Sequence, residues 1–292
     1  MTNARGHILP FFIPHLGCPG QCIFCDQKTI SGHSELPKAE EIIESMAKNR
    51  DSECQLAFYG GSFTAMPKQT QIYYLQTAKF GLDKGWINGI RISTRPDCIN
   101  NIIIERLKHY GVDTVELGVQ SLDDKTLQFA KRGHSADDSL TSLKLLKKAG
   151  FTVGVQLMPG LPKESAESII KGAKKILSLK PDLLRIYPAV VVKNTAMAKM
   201  FQKGEYKPLT LEKAVEISAL ITLWAEYYKV RVIRTGLNTD EHLASEVLAG
   251  PYHPAFGHLV KSYIWRQKVL WSINEFSAEN ANETITEIYA DK

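Results

Sequence analysis

Short apolar runs alternate along this chain with longer segments of helical periodicity, and this alternation constrains the fold more than any other feature. The apolar runs predict six strands, at residues 8–13, 55–59, 89–93, 114–119, 152–158 and 183–187. The periodic segments predict helices at 37–48, 69–84, 100–110, 139–149, 164–179 and 211–228, and a further strand is expected at 230–234. Strands and helices in such a series form a parallel sheet, either closed as a barrel or open and doubly wound.

The chemically distinctive residues follow the predicted strands, which favours a barrel over a doubly wound sheet. They are Cys18, Gly60, Gly61, Arg95, Gln120, Met158, Pro159, Gly160 and Pro188. Active sites of (β/α) barrels lie on the rim formed by the carboxyl ends of the strands. We therefore predict an α/β fold, a partial (β/α)6 barrel of the TIM type over residues 1–235. A C-terminal helical extension over 236–292 is expected to pack on the barrel or close it.

Three of the five cysteines lie within eight residues, after the first predicted strand. Cys18, Cys22 and Cys25 have the spacing C-x3-C-x2-C. Three thiolates are one fewer than a closed tetrahedral zinc site or a fully ligated four-iron cluster requires, so a four-iron cluster held here keeps one open iron. The alternatives are a zinc knuckle with a distant fourth ligand, and a disulfide with a spare thiol.

Composition limits the class of protein. The 292 residues suffice for one large α/β domain or two smaller ones, and the formal net charge of +5 is compatible with a polyanionic partner without requiring one. The five cysteines do not suggest a secreted disulfide framework. No apolar run is long enough to span a membrane. Pro10, Pro14 and His15 interrupt the apolar N-terminal run, so we expect no signal peptide and a cytoplasmic location.

Two strand ends carry candidate ligand contacts. Gly60 and Gly61, followed by Ser62, expose backbone carbonyls against which a ligand could lie, unless they form only a tight turn. Ser93 and Arg95 end the third strand, and Arg95 is suited to a carboxylate unless it forms a surface ion pair with Asp97, two residues on.

The fourth strand contains Glu116 in an apolar run, which indicates either a satisfied network or a functional group. Gln120 at its end is placed to hydrogen-bond a ribose, and Arg132 is a candidate for binding a carboxylate. His134 is expected to be a cap or surface residue.

The fifth strand ends in Gln156, Leu157 and Met158, whose backbone could hold an adenine edge, unless this is only a buried strand and a Pro-Gly turn. Arg185 and Tyr187 end the sixth strand, where either could face a substrate. Cys54 and Cys98 are expected to be buried apolar thiols.

Several ordered motifs resemble one family. They are Thr94-Arg95-Pro96-Asp97, Val115 to Ser121, Arg132-Gly133-His134, Ala149-Gly150-Phe151, Met158 to Pro162, Ile186-Tyr187-Pro188 and Gly204 to Pro208. With the cysteine spacing, they resemble the radical S-adenosylmethionine (SAM) domain of the catalytic subunit of the Elongator complex. The resemblance covers roughly residues 18–234, and a more distant one links the chain to oxygen-independent coproporphyrinogen III oxidase.

The resemblance implies a [4Fe-4S] cluster on the three clustered cysteines and SAM on its open iron. It implies cleavage of SAM to a 5′-deoxyadenosyl radical after reduction by an external electron donor. The residues expected around SAM are Phe24, Gly60, Gly61, Ser62, Ser93, Arg95, Gln120, Arg132, Gln156, Leu157 and Met158. The implied substrate is a tRNA base; the alternatives are a small molecule such as a porphyrin, and an iron–sulfur module without turnover. No acetyltransferase domain is expected within 292 residues.

The C-terminal segment is rich in basic and aromatic side chains. The basic ones are Arg231, Arg234, His253, His258, Lys261, Arg266 and Lys268, and the aromatic ones Tyr252, Phe256, Tyr263 and Trp265. Such a set could bind RNA by charge and base stacking. The alternative is that the aromatic residues form the core of a helix that covers the open edge of the barrel.

Overall fold

A computed structural model of the chain describes residues 7–13, 16–18, 22–26, 35–50, 53–237 and 241–279. Its centre is a seven-stranded parallel sheet in the order β1-β2-β3-β4-β5-β6-β8. The strands are β1 (His7–Ile13), β2 (Cys54–Gly60), β3 (Gly89–Thr94), β4 (Thr114–Gln120), β5 (Thr152–Leu157), β6 (Leu183–Ile186) and β8 (Arg231–Thr235).

Helices alternate with the strands along the chain. They are α1 (Ala39–Lys48), α2 (Lys68–Asp83), α3 (Asn101–His109), α4 (Asp124–Phe129), α5 (Ala136–Lys148), α6 (Ala166–Leu177), α7 (Ala196–Gln202), α8 (Leu211–Tyr227), α9 (Glu241–Glu246) and α10 (Phe256–Glu279). Strands in sequential order without a closing β1–β8 pair form a partial barrel, so the predicted α/β partial barrel is confirmed. The strand expected at 230–234 is present as β8 and is the seventh of the sheet.

The helix starts are set by side-chain caps. Asn100 accepts a hydrogen bond from the Ile103 backbone amide at α3, and Ser135 forms a reciprocal capping box with Asp138 at α5. Each cap satisfies backbone donors that the first helical turn leaves without partners. The Ser135 cap starts α5 at Ala136, three residues before the predicted start at 139, and the short α4 was not predicted at all.

Successive side chains of each strand point to opposite sides of the sheet, one facing the helices and the other the concave side. Phe58, Ile92 and Ile186 are buried in the core between sheet and helices. Their neighbours Tyr59 and Ser93 point to the other, concave side and remain partly exposed. The apolar side holds the fold together, and the concave side is left for polar groups.

The C-terminal part packs against earlier elements. Strand β7 (Val191–Val192) pairs antiparallel with β9 (Val247–Ala249), and Phe256, Val260 and Ile264 of α10 are buried in a cluster with α8. Phe256 is therefore a core residue, as one of the two expectations had it, whereas Trp265 is 56% exposed. The boundary predicted at residue 236 stays a prediction. No helix in the described part of the chain is long and apolar enough to cross a membrane.

Candidate functional site at the carboxyl ends of the strands

The cysteine loop is fixed to two helices. The Ile23 amide donates to the Ala130 carbonyl at the end of α4, and the Met197 amide in α7 donates to the Ile23 carbonyl at 2.8 Å. Cys22, Ile23 and Phe24 are buried in a small apolar cluster of their own. The loop is thereby held over the strand ends, separate from the main core.

The three clustered thiols lie close enough to affect one another's charge. Burial, together with repulsion from Cys22 and Cys18, raises the pKa of Cys25 to about 12. Burial also raises the pKa of Cys18, against the opposing effect of the Ser62 backbone amide. The five cysteines form no disulfide. Converging thiols that resist ionisation need a cationic partner to become thiolates, which is what a metal centre supplies.

The number of these thiols bears on the kind of metal centre that they could hold. Within the described ranges, no three His, Cys, Asp or Glu side chains are placed to hold one metal ion. A tetrahedral zinc site with 2.3 Å bonds would need sulfur atoms about 3.8 Å apart. In a four-iron cluster each thiolate binds a different iron, so the sulfur atoms lie farther apart. Three thiolates are one fewer than a closed zinc site needs, and on a four-iron cluster they would leave one iron open.

Arg132 links the cysteine loop to the sheet. Its Nη1 donates to Cys22 Sγ at 3.3 Å and its Nη2 to the Gly118 carbonyl at 2.6 Å. Its buried Nε has no acceptor among the described residues. Gly118 makes the room, because a Cβ there would lie 3.0 Å from Arg132 Nη2 and 2.9 Å from Gln120 Nε2. A buried guanidinium with an unused N–H beside the thiols suits an anionic group at this position.

Gly61, directly after β2, and Gly17, directly before Cys18, are required by close backbone packing. A Cβ on Gly61 would lie 2.0 Å from the Leu16 carbonyl oxygen, and one on Gly17 would lie 2.3 Å from the Ser62 carbonyl oxygen. The Gly61 amide donates to the Ile13 carbonyl, and the Ser62 amide to the Leu16 carbonyl. The segment before Cys18 is therefore seated directly on the Gly60–Ser62 turn.

Ser62 and Arg95 are both held by local partners. The Ser62 hydroxyl is buried beside Thr94 Oγ1 at 3.2 Å and accepts from the Arg95 amide at 3.0 Å. Arg95 forms a bidentate pair with Asp97, at 2.9 and 2.6 Å, so the predicted alternative is present, but Arg95 itself is buried. Cys98 in the same turn is half-buried, whereas Cys54 is fully buried as expected.

Gln120 is held in a strained conformation at the end of β4. Its φ is +65°, and the Ser121 amide donates to the Val119 carbonyl at 2.8 Å. This hydrogen bond closes a γ-turn with positive φ at its central residue, which is the rare and strained form. Its side chain accepts from Gln156 Nε2 at 3.1 Å. Such strain persists only when neighbours enforce it, and it concentrates at functional sites.

Glu164, which sequence reasoning missed, binds the residue that follows Gln120 in this turn. Its Oε1 accepts from Ser121 Oγ at 2.5 Å, and its Oε2 accepts from the Gly160 amide at 3.2 Å. Burial raises the pKa of Glu164 to about 7, against the lowering effect of these hydrogen bonds. Glu164 thereby ties the exits of β4 and β5 together. Glu164 lies just before α6, where the sequence predicts only the start of a helix. No local pattern in the sequence therefore marks it as part of the site.

The other predicted contacts divide between core and concave face. Gln156 and Ser93 are partly exposed on the concave side. Leu157 is buried in the main core, and its carbonyl accepts from the Tyr187 amide at 2.9 Å. Met158 and Phe24 pack in the cluster around the cysteine loop. His134 was expected at a cap or the surface, but it is buried against the Val119 carbonyl, and burial lowers its pKa to about 4.

A charged network lies deeper on the concave face. Glu116 accepts from Arg91 Nη1 at 2.6 Å, from Arg185 Nε at 2.5 Å and from the Tyr59 hydroxyl at 3.2 Å. Burial by itself raises the pKa of Glu116, but the hydrogen bonds and charges of Arg185 and Arg91 hold it below its usual range. Glu116 is thus a satisfied network residue, one of the two readings left open by the sequence.

The chain was compared with known proteins. A family model described as the Radical SAM superfamily matches residues 12–176, and one described as the Radical_SAM C-terminal domain matches residues 181–266. A tRNA uridine(34) acetyltransferase of Methanocaldococcus jannaschii is 28% identical over 85% of this chain and 53% of its own length. Elongator complex protein 3 of Homo sapiens is 29% identical over 59% of this chain and 36% of its own length.

A solved structure agrees with these matches in fold. The archaeal Elp3 of Methanocaldococcus infernus superposes with a TM-score of 0.73 and 23% identity, covering 90% of this chain and 63% of that one. The predicted resemblance to the Elongator family is confirmed. The chain spans about half the length of the acetyltransferase it matches.

Proposed function

The chain belongs to the radical SAM superfamily of enzymes, and from this premise we propose that it cleaves SAM reductively in order to modify a base of tRNA. A [4Fe-4S] cluster with one open iron would supply an electron to bound SAM and so generate the 5′-deoxyadenosyl radical. The observation that carries this proposal is the convergence of the Cys18, Cys22 and Cys25 thiols with Arg132 at the strand ends.

The three thiols are the proposed cluster ligands, and two neighbouring groups partly offset the effect of burial on the pKa of Cys18 and Cys25. Arg132 lies against Cys22, and its positive charge opposes the rise that burial causes in the pKa of Cys25 and Cys18. The Ser62 backbone opposes the rise in the pKa of Cys18 in the same way. The backbone seat formed by Gly61 fixes the loop to the sheet, so the thiols are positioned before any cofactor arrives.

The residues proposed to hold SAM surround this loop. Arg132 offers its unused buried N–H to the carboxylate. Gln120 and Gln156, joined by a hydrogen bond, offer amide groups to the ribose and adenine. Phe24 and Met158 supply apolar contact, and Gly60, Gly61 and Ser93 line the same rim. Arg95 is already paired with Asp97. Its proposed contribution is positive potential at the SAM site, with little direct contact to SAM.

The tRNA substrate is proposed from the activity that the acetyltransferase relative is named for and from one surface of this chain. Residues His258, Lys261, Trp265 and Lys268 are all exposed on α10. Their spacing of three, four and three places them along one side of the helix, next to the buried face of Phe256, Val260 and Ile264. We call this the exposed basic stripe. Phosphate contacts from such a stripe would give salt-sensitive binding, and Trp265 could stack on a base.

Binding of bulk tRNA at two salt concentrations tests the substrate class. We expect affinity to fall steeply with salt, and Lys261→Glu/Lys268→Glu to weaken binding and reduce the salt slope by about 1–2. The matched control is Lys144→Glu/Lys148→Glu, which reverses two exposed charges on α5 and should bind as the wild type does. If tRNA affinity did not depend on salt, or if both double variants lost the same affinity, the exposed basic stripe would no longer support RNA binding.

A further inference from the structure

The end of β4 is one residue longer than the strand beside it. Leu117 pairs with Val155 of β5. The next pair is Gln120 with Leu157, so β4 advances by three residues where β5 advances by two. Without the extra residue, Val119 would lie opposite Leu157. Irregularities of this kind occur next to active sites, where they change the direction of a side chain. The extra residue therefore sets where Gln120, a proposed SAM contact, lies on the rim.

His134, in the loop between α4 and α5, holds the residue before Gln120. Its Nε2 lies 3.1 Å from the Val119 carbonyl oxygen. Because a carbonyl oxygen only accepts, Nε2 carries the ring proton. Burial lowers the pKa of His134 to about 4, so the ring is neutral near pH 7. The Ser121 amide donates to the same carbonyl, so His134 fixes the group on which the γ-turn closes.

Glu164, between β5 and α6, holds the residue after Gln120. Its Oε1 accepts from Ser121 Oγ, which itself accepts from the Asp123 amide at 3.1 Å. Its Oε2 accepts from the Gly160 amide at 3.2 Å. The Tyr206 hydroxyl donates to the Gly160 carbonyl at 2.6 Å and fixes that turn in place. The residues on both sides of Gln120 are thus held by side chains from two different loops.

These contacts maintain an arrangement that is unfavourable by itself. A glutamine with positive φ persists only where its surroundings enforce it. The carboxylate of Glu164 is also costly to the fold, because burial raises its pKa to about 7 against the lowering effect of its hydrogen bonds. Costly features that gather at one strand end indicate a role in function.

The group that they position is the Gln120 amide. Gln120 Oε1 accepts from Gln156 Nε2 at 3.1 Å, and the Gln120 carbonyl accepts from the Met158 amide at 2.8 Å. Side chain and backbone of Gln120 therefore both bind the end of β5, whose residues we also assign to SAM. A return of Gln120 to an ordinary φ would displace both groups from the rim.

We propose that His134 and Glu164 are positioning residues, which hold the end of β4 so that the Gln120 amide is oriented to bind SAM. Each acts through a chain neighbour of Gln120 and not on the ligand. The inference rests on the proposed binding of SAM and deepens it. It predicts a coupling, because without the Gln120 amide the two residues have no SAM contact left to position.

A double-mutant cycle of Glu164→Gln and Gln120→Ala tests this coupling. The dissociation constant for SAM is measured by calorimetry on anaerobically reconstituted protein at pH 7.5, where most of the Glu164 carboxyl is ionised. Each single variant should bind SAM about three- to tenfold more weakly. The double variant should bind it no more weakly than Gln120→Ala. The control Glu167→Gln, which changes an exposed carboxyl on α6, should match wild type.

Hydrogen exchange of the apoprotein provides a readout that needs neither iron nor SAM. In Glu164→Gln, the amides of Ser121 and Met158 should exchange about three- to tenfold faster, because the strand end opens more often. His134→Phe, which removes the donor and keeps a ring, should have the same effect and should weaken SAM binding to a similar extent. Melting temperatures within a few degrees of wild type show that the fold is kept.

The other outcomes contradict the assignment in distinct ways. Losses of SAM affinity that add in the cycle would show that Glu164 acts without Gln120. Unchanged SAM affinity in Glu164→Gln or in His134→Phe would remove that residue from the assignment, and failure of a variant to fold would make its residue a structural one. If wild type itself bound no SAM, the proposed function would fail together with this inference, whereas the preceding outcomes leave that function intact.

Discussion

Arg132 joins the cysteine loop to the middle of the sheet, with Nη1 3.3 Å from Cys22 Sγ and Nη2 2.6 Å from the Gly118 carbonyl oxygen. One guanidinium thus touches a proposed cluster ligand and the strand that ends in Gln120. The arrangement fixes the relative position of the loop and the strand ends, and it places positive charge where the thiolates and an anionic ligand would meet.

Replacing Arg132 tests this role. Arg132→Ala should weaken SAM binding to the reconstituted protein by about tenfold or more, because a charge-assisted hydrogen bond contributes about 1.5–3 kcal/mol. Equilibrium binding of SAM checks it, with Lys144→Ala on the exposed face of α5 as the control. Unchanged affinity in Arg132→Ala would assign the residue to holding the loop alone.

Gly61 should be among the least replaceable residues of the chain. A Cβ would lie 2.0 Å from the Leu16 carbonyl oxygen, so Gly61→Ala must move the segment that leads into Cys18. We expect a loss in unfolding free energy of about 1–3 kcal/mol from overpacking, together with impaired iron uptake.

Gly85 provides the comparison for that variant. Its φ is +69° and nothing lies within 4 Å of an added Cβ. Gly85→Ala should therefore cost only the backbone strain, about 1–2 kcal/mol, with iron uptake unaffected. Denaturant unfolding and iron content measure both effects, and normal iron uptake by Gly61→Ala would refute the importance of the backbone seat.

The charged network under the concave face should contribute pH-dependent stability. The folded-state pKa of Glu116 is held below its usual value of 4.5, so its stabilisation is present above that value and is lost as pH falls through the lower, folded pKa. Glu116→Gln should lower stability at neutral pH by about 3–5 kcal/mol, because it leaves two buried guanidinium groups with less compensation.

The test is the pH profile of unfolding of the apoprotein. Wild type should lose stability below about pH 4.5, and the difference between wild type and Glu116→Gln should shrink there. A difference that stays constant with pH would show that the carboxylate charge is not what stabilises the network.

Glu164 should act in the opposite direction. Its folded-state pKa of about 7 lies above the reference value of 4.5, so the folded protein binds a proton that the unfolded chain releases between those values. Stability should therefore fall as pH rises from about 4.5 to 7, and Glu164→Gln should remove this part of the slope. Unfolding free energies at pH 5, 6 and 7.5 measure it. If the unfolding free energy of wild type and of Glu164→Gln depended on pH in the same way, the pKa of Glu164 would not be raised by folding.

The sequence predicted the strands well because each carries an apolar run that the sheet buries on its helix side. It also predicted that Cys18, Gln120 and Gln156 come to the same rim, since parallel strands present their carboxyl ends together. It did not predict the partners of these residues. Glu164 binds Ser121 across 43 residues and Arg132 reaches Cys22 across 110, and such long-range contacts leave no local pattern.

Two features of the sequence carry more structural information than the predictions drawn from them. Ser135 and Asp138 have the spacing of a capping box, which fixes the start of α5 at Ala136. Glu116 in an apolar strand indicated a network, but its partners Arg91 and Arg185 could be identified only once the strand register placed them on one face.

The central claim is reductive cleavage of SAM at the three-cysteine site. Anaerobically reconstituted wild-type protein, treated with a strong reductant and SAM but no substrate, should bind about four irons and release 5′-deoxyadenosine. The variant with Cys18, Cys22 and Cys25 all changed to Ala should lack the iron, the broad visible absorption and the product. Four irons retained in that variant, or no 5′-deoxyadenosine from iron-loaded wild type, would contradict the account.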